Sequence, residues 1–477
     1  MGKRILLVTT SFEGISQNKL AKTSEYLHYP MGLAYLHSYL ESVGNSVITL
    51  ALNHKTPEEC FKIVHKNIHD FSPEIIGIQV LTATRVSVYS LIEQIHERYP
   101  KIKIILGGIH TTVMYKQLIE KFPFVIAVLG EGELTIDELS RELFKKKPNL
   151  KKIDGIAFFD NGEAIRTRPR ELIKNLDELP FPKHEPFLND PKRTSACLLT
   201  SRGCPFACTF CCLNPESKRI VRFRSPQNVV DEMEYLIKKF PHIKEIFIHD
   251  DSFFIHNKRV IEICKEIIQR KIKIDFVCSG RMRPISKEMV FYLEKAGFKR
   301  VLLGLESGAE EILKSCGKGI LPEDAIKTFK LFKNTSISPK VFLIVGLPGE
   351  NIKTVWETIR LVKKLQKIKY MLAPDDFGLL TIYPGTVVYE IAKKKGFIDE
   401  TYWLSDKETP IYTAENSYEK LNYFKRLMAE NLSLYKIKTI RGFSSQLEVL
   451  PSVVRYFLKR EKSPKLMLNV VKNFLKA

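Results

Sequence analysis

Thr200-Ser-Arg-Gly-Cys204-Pro-Phe-Ala-Cys208-Thr-Phe-Cys211 is the stretch from which the rest of this chain can be read. Its three thiols, separated by three and then two residues, can ligate three corners of a cubane iron–sulfur cluster. The fourth iron then stays open to a small molecule. A cluster that only carries electrons takes four cysteines, and a structural zinc site is closed by four ligands. No fourth cysteine stands at motif spacing, because Cys212 adjoins Cys211 and cannot easily reach the same cluster. The pattern indicates an open, catalytic cluster. A zinc loop or chance clustering is the bland alternative.

Outward from this loop, strand and helix patterns alternate from residue 195 to about 385. Strands are expected at 196–200, 245–249, 272–278, 301–305, 340–345 and 377–382. Helices are expected at 226–239, 258–270, 286–296, 322–333 and 352–367. Such alternation makes a parallel sheet covered by helices.

The cysteine spacing, with Phe210 just before the third cysteine, resembles the signature of the radical S-adenosylmethionine (SAM) superfamily. The six units resemble that superfamily's partial (β/α)6 barrel. The resemblance implies that Cys204, Cys208 and Cys211 hold a 4Fe–4S cluster. It also implies that SAM chelates the unique iron and that Phe210 lies near the adenine. An electron from the reduced cluster, supplied by a donor such as flavodoxin or ferredoxin, would cleave SAM to methionine and a 5′-deoxyadenosyl radical. The cofactor carries the hard chemistry, and the protein orients it and excludes water.

Barrel chemistry gathers at the C-terminal ends of strands, so each strand end carries an expectation. In His249-Asp-Asp-Ser-Phe253, Asp250 matches the position that holds the SAM amino group, whereas Asp251 or Ser252 suits a helix cap. In Cys278-Ser-Gly-Arg-Met-Arg283, Arg281 is placed to meet the SAM carboxylate or a substrate anion, with an ordinary ion pair as the alternative. Gly304-Leu-Glu-Ser-Gly308 places Glu306 and Ser307 beside SAM. Val345-Gly-Leu-Pro-Gly-Glu350 offers Gly346 for close packing on adenine and leaves Glu350 a structural role. Tyr383-Pro-Gly-Thr386 is expected to face substrate.

Residues 1–150 alternate in the same way, with strands at 4–9, 46–50, 75–80, 102–106 and 125–129 between helices at 31–42, 58–68, 87–98 and 133–144. An open parallel sheet binds ligands at the carboxyl ends of its strands, where strand order reverses. There lie the turns Leu81-Thr82-Ala-Thr84, Gly107-Gly108-Ile-His110 and Gly130-Glu131-Gly132-Glu133. With Tyr29-Pro-Met-Gly-Leu-Ala-Tyr-Leu36, this region resembles the cobalamin-binding domain of one large radical SAM class. Leu81, Thr82, Gly107, Gly108, His110, Gly130, Glu131 and Gly132 are the cradle that the resemblance implies. One departure matters: the Asp-x-His-x-x-Gly motif that puts histidine on cobalt is absent, and the first strand runs into Thr9-Thr-Ser-Phe-Glu-Gly14. Either the corrin binds with an open lower face, or the domain has kept the fold and lost the cofactor. His110 either touches the corrin or fills a structural role.

The fold class is therefore α/β. A doubly wound parallel-sheet domain (1–150) is followed by a bridging segment (151–194) with a strand-like Gly155-Ile-Ala-Phe-Phe159, whose prolines at 180, 182 and 186 oppose regular structure. The radical SAM barrel (195–385) and a basic helical region (386–477) complete the chain. Helices in that last region are expected at 418–435, 446–460 and 464–476, shaping the substrate pocket.

The net charge of +21 is spread along the chain, dense at 435–438 and 457–465, and comes without a nucleic-acid-binding module. Solvated helix faces account for it most simply; attraction to an anionic membrane surface or an acidic substrate is the further reading. Nine cysteines, six of them scattered outside the loop motif, an N-terminus without signal-peptide character and the lack of a roughly 20-residue apolar run point to a reducing cytoplasm.

The function these features imply is a radical SAM enzyme, most simply a cobalamin-dependent methyltransferase acting on a small-molecule, lipid or peptide substrate. The alternatives are radical cyclisation, rearrangement or coupling without methylation, on a lipid or tetrapyrrole for instance, and a non-catalytic cobalamin or iron–sulfur sensor. A methylthiotransferase fits poorly, since that family carries three further N-terminal cysteines and only Cys60 stands here.

Overall fold

In the first strand, β1 (Arg4–Thr9), every residue after Arg4 is buried, so the strand has no polar face to offer water. Such a strand requires helices over both faces of its sheet. The computed structural model describes residues 2–12, 29–212, 219–283, 285–369 and 377–433, and in it the chain makes two α/β sheets. After β1 come α1 (Met31–Ser42), β2 (Ser46–Ala51), α2 (Pro57–Phe71), β3 (Ile75–Gln79), α3 (Arg85–Arg98), β4 (Lys103–Gly107), α4 (Ile109–Lys121), β5 (Val125–Val128) and α5 (Glu133–Glu142). The strand order is β2-β1-β3-β4-β5, all parallel, so direction reverses between β1 and β3. Ile5, Leu7, Ile105 and Val128 face α1 and α5, while Leu6, Val8, Ile78 and Leu106 face α2, α3 and α4. The sheet is doubly covered.

The sheet does not end at β5. Strands β6 (Ile156–Asp160) and β7 (Glu163–Arg166) add antiparallel at its edge, joined by Asn161 (φ 50°) and Gly162 (φ 89°). Two consecutive positive φ values at an Asn-Gly pair are the two-residue hairpin whose twist matches its strands. The first part of the expected bridging segment thus belongs to the first sheet.

The second sheet is parallel throughout, with order β15-β14-β13-β12-β11-β8. Its strands are β8 (Ser195–Leu198), β11 (Glu245–Ile248), β12 (Asp275–Arg281), β13 (Phe298–Glu306), β14 (Ser338–Val345) and β15 (Gly378–Leu379). A two-stranded ribbon, β9 (Ser201–Arg202) with β10 (Arg222–Phe223), frames the cysteine loop. The helices are α6 (Pro226–Lys239), α7 (Asn257–Gln269), α8 (Lys287–Ala296), α9 (Glu310–Ser315), α10 (Pro322–Phe332) and α11 (Ile352–Ile368). Helix starts follow capping chemistry: the Ser225 and Ser286 hydroxyls accept from Asn228 N and Met289 N, and Asn351 Oδ1 accepts from Lys353 N. The sixth strand is shorter than its pattern predicts, being two residues plus a bridge between Thr381 and Ile411.

Helices α12 (Val387–Lys394) and α13 (Tyr418–Ser433) follow, and α13 sinks Leu421, Phe424, Met428 and Leu432 into the barrel core. The helices expected at 446–460 and 464–476 lie outside the described residues. Among the described residues, no helix is long and apolar enough to cross a membrane.

The two sheets share a core. Tyr29, Met31, Ala34 and Tyr35 pack with barrel residues, and Tyr29 OH meets His184 Nδ1 at 2.6 Å while accepting from Cys197 N at 3.1 Å. His184 Nε2 continues to Glu232 at 3.0 Å.

Candidate functional site

The cysteine loop leaves β8 through Thr200 and Ser201, both buried. Asp250, at the end of β11, accepts from Thr200 N (2.6 Å), Thr200 Oγ1 (2.5 Å), Ser201 N (3.2 Å) and Ser201 Oγ (2.6 Å). Arg259 of α7 donates to Thr200 O at 2.7 Å and Thr200 Oγ1 at 3.1 Å. Both oxygens of Asp250, the residue expected to hold the SAM amino group, are thus engaged in bracing the loop.

Gly203 then turns with φ 91°, where a Cβ would lie 2.3 Å from Ile220 O, and its N–H donates to Asp251 at 3.1 Å. The loop's far side is held by the segment after α9. Thr209 N donates to Cys316 O (2.9 Å), and a Cβ on Gly317 would crowd Ala207 O at 3.0 Å. Val388 N closes the contact on Thr209 O at 3.1 Å.

The thiols of Cys204 and Cys208 are half-buried, that of Cys211 is exposed, and none is in a disulfide. Burial raises the Cys204 thiol, against the lowering effect of Phe206 N–H and the Arg281 charge; burial likewise raises Cys212. Among the described residues, no three His, Cys, Asp or Glu side chains gather around one metal ion, as a mononuclear zinc site requires. A cubane asks for something different, since each thiolate binds its own iron. Three thiols outside any disulfide, on a loop braced from both ends with a cationic side chain against one sulfur, fit that group.

At the end of β12, Arg281 is 6% exposed, donates from Nη1 to Cys208 Sγ at 3.4 Å and lies 3.6 Å from the Phe206 ring centroid. At the end of β13, the pairing with β14 slips between Gly304 and Glu306, and Glu306 takes φ 65°. Such an irregularity re-aims a side chain. Glu306 Oε1 accepts from Lys318 Nζ at 2.7 Å in a buried pair, and Lys318 also stands 6.0 Å from the half-buried Phe210 ring.

Ser307 is turned inward: its hydroxyl meets Thr358 Oγ1 on α11 at 3.2 Å and accepts from Ala309 N at 3.2 Å. Ser307, expected beside SAM, thus spends its hydroxyl on contacts within the protein. Gly346 (φ 95°) is also closed, because a Cβ there would meet Leu421 of α13 at 3.1 Å. Its N–H donates to Glu350 Oε2 at 2.5 Å, and burial pushes the Glu350 carboxyl up to about 7. The turn expected to face substrate instead presses Gly385 on Val113, while Thr386 caps α12.

Across the carboxyl ends of β1, β3, β4 and β5 runs a cleft of about 280 Å³. Gly32, Gly77, Gly107, Gly108, Gly130 and Gly132 line it, and Arg202, Gly203 and Asp251 of the cysteine-loop region form its other wall. A Cβ on Gly107 would touch no protein atom, and one on Gly32 only Gln79 at 3.7 Å, so side chains there would enter the cleft itself. A groove opened by missing side chains fits a large flat cofactor. Asp251 opens onto this cleft, and partial desolvation there and the charge of the neighbouring Asp250 hold its carboxyl above the ordinary carboxylate range.

Three expected cradle residues stand elsewhere. His110 is fully buried, with Nδ1 on Thr82 Oγ1 (3.1 Å) and Nε2 on Tyr89 OH (3.0 Å); burial and the Arg85 charge hold it neutral, near 3. Thr82 is therefore its partner, and Leu81 does not line the cleft. Glu131 lines the cleft, but its carboxylate accepts from Arg202 (3.0 Å) and twice from Arg222 (2.9 Å each). Burial would raise that carboxyl, and the hydrogen bond with Arg222 and the charge of Arg202 bring it below the usual range. Arg202 also reaches Glu133 at 2.6 Å, tying the cysteine loop to the first sheet.

Sequence reading missed Arg202, Arg259, Lys318 and Gln79. Arg202 sat inside the quoted stretch, and Lys318 between two glycines of positive φ; for Arg259 and Gln79 no local signal stands out.

The Radical SAM superfamily profile matches residues 198–362, and the B12 binding domain profile matches residues 18–140. An uncharacterised methyltransferase of Pyrococcus horikoshii is 30% identical over 426 residues, 88% of each chain. The anaerobic magnesium-protoporphyrin IX monomethyl ester cyclase of Rubrivivax gelatinosus is 29% identical over 348 residues, 70% of this chain and 62% of that protein's length. Among solved structures, the radical S-adenosylmethionine methyltransferase TsrM from Kitasatospora setae superposes with a TM-score of 0.67 at 22% identity, covering 83% of this chain and 77% of its own.

Proposed function

From the premise that this chain belongs to the radical SAM enzymes that carry a cobalamin-binding domain, we propose that it methylates an unactivated carbon of a small-molecule substrate. The enzymes of this class use a 4Fe–4S cluster, SAM and cobalamin. The observation that carries the reading is the shared cleft: its floor is the glycine-lined end of the first sheet, and its wall is the start of the cysteine loop. A methyl carrier and a radical source placed on those two surfaces would face one substrate.

In this reading Cys204, Cys208 and Cys211 hold the cluster. Glu306, which keeps one carboxylate oxygen outside its pair with Lys318, and Phe210 meet SAM. Gly107, Gly108, Gly130 and Gly132 admit cobalamin. Bound there, these groups would supply one-electron cleavage of SAM and a transferable methyl group. The chain's own contribution is alignment: Asp250 and Arg259 fix one end of the loop, and Arg202 fixes the loop against the cobalamin side. The first strand lacks the Asp-x-His-x-x-Gly motif that puts histidine on cobalt, and both His110 nitrogens are occupied, which supports the reading that cobalt takes no histidine ligand. A flavodoxin- or ferredoxin-type donor supplies the electron.

The test is anaerobic reconstitution followed by product analysis. Release of S-adenosylhomocysteine with 5′-deoxyadenosine is expected; deoxyadenosine alone would assign the radical to cyclisation or coupling. Electron paramagnetic resonance of bound cob(II)alamin should lack nitrogen splitting of the cobalt lines, and its presence would refute the open-face reading.

A further inference from the structure

Lys318 and Arg281, two of the cations buried against the cysteine loop, differ in one respect. Lys318 is balanced by Glu306 at 2.7 Å. Arg281 has no carboxylate partner among the described residues: Nη1 points at Cys208 Sγ, the guanidinium lies on Phe206, and Nε has no hydrogen-bond partner. A buried charge without an opposite charge is strongly unfavourable. A thiol sulfur is a weak acceptor, and an aromatic face returns only about 0.5–2 kcal/mol. The same sulfur as a thiolate would make the hydrogen bond charge-assisted and roughly twice as strong.

We propose that Arg281 is a positioning residue for the iron–sulfur cluster: it donates to the Cys208 ligand sulfur and holds the cluster's reduction potential up. The proposal rests on the reading that Cys204, Cys208 and Cys211 carry a 4Fe–4S cluster. Three thiolates outnumber the two positive charges of the oxidised core, so the assembly is a monoanion that becomes a dianion on reduction. A fixed cation beside it favours the more negative state, and hydrogen bonds to cluster sulfurs are a recognised control of potential. The electron comes from the one-electron donor and is passed on to the sulfonium C–S bond of SAM, so Arg281 changes how readily the cluster accepts it and adds no electron itself. The carboxylate of SAM is the other anion this guanidinium could meet, and measuring without SAM separates the two.

The experiment uses the full chain, reconstituted anaerobically without SAM, as the parent, Arg281→Met and Arg281→Lys. Iron and sulfide content establish equal loading, and electron paramagnetic resonance at a series of fixed potentials gives the reduced fraction. In Arg281→Met the ratio of reduced to oxidised cluster at a given potential should fall about tenfold, equivalent to about 59 mV for a one-electron couple. Arg281→Lys, which keeps the charge and loses the planar fork, should fall between. An unchanged ratio in the Met variant overturns the proposal, and with weakened SAM binding it would hand Arg281 to the SAM carboxylate. If the Met variant takes up no cluster, the Lys variant decides: a lowered ratio supports the proposal, an unchanged one overturns it. A parent chain that takes up no cluster overturns the underlying reading as well, a result distinguishable from the others.

Discussion

The mouths of the two sheets solve the same problem, room for a cofactor at the ends of parallel strands, by opposite means. The first sheet removes side chains: six glycines line its cleft, and two of them would meet little or no protein if they carried a Cβ. The second adds side chains, and part of its polar chemistry is spent on the protein itself. Asp250 holds the loop and Ser307 holds α11, while Glu306 gives one carboxylate oxygen to Lys318 and keeps the other open. A large, flat ligand needs surface cleared for it, whereas a cluster bound at three points needs a loop that keeps its thiols in place. Preorganisation of this kind is what positions a reactive group to within a fraction of an ångström.

The largest effect should come from the loop's ligands. Cys204→Ala, Cys208→Ala or Cys211→Ala should each abolish cluster uptake, read as iron and sulfide content after reconstitution, while Cys212→Ala keeps it. Loss in the Cys212 variant with retention in the Cys211 variant would break the assignment.

Next is the brace. Asp250→Ala leaves four buried donors without their acceptor, so it should cost about 3–5 kcal/mol in denaturant unfolding. Unchanged stability with weakened SAM binding would return Asp250 to the role of a ligand and erase the contrast between the two mouths.

The glycines sharpen the other half. Gly108→Ala forces φ 99° on a side chain whose Cβ would lie 2.8 Å from Val80 O, and should destabilise the fold by about 1–3 kcal/mol. Gly107→Ala meets nothing in the protein, so its unfolding should match the parent while its cobalamin affinity falls. Equal affinity would mean that the cleft holds something smaller.

The smallest effect depends on pH. The Glu350 carboxyl titrates near 7 in the folded chain against an ordinary 4.5. Between those values the folded state binds the extra proton, so stability present below pH 4.5 is lost as pH rises through 7. Glu350→Gln should remove that slope, leaving the variant more stable than the parent by roughly 1–3 kcal/mol near pH 8 and not at pH 4. Parallel pH profiles for the two would show that Glu350 is already ionised and satisfied.

Much of this was legible along the chain. Alternating strand and helix patterns fixed both sheets, because a strand without a polar face must be covered on both sides, and the helix 31–42 is found at those bounds. The Asn161-Gly162 hairpin carries a local signal as well, two residues that accept positive φ. The sixth strand was legible at 377–382, but its shortness was not, since its pairing extends over two residues only.

The sequence by itself determined the class of chemistry: the spacing of three cysteines is a local property of one loop, and the glycine turns are local properties of theirs. Which polar side chains remain free for a ligand was decided only by the tertiary structure. Asp250 meets Thr200 across 50 residues, Ser307 meets Thr358 across 51, and Glu131 meets Arg222 across 91. A motif records which groups stand at a strand end, but a hydrogen bond belongs to whichever partner the fold brings within reach. In a buried site the protein's own donors and acceptors are the first to claim it.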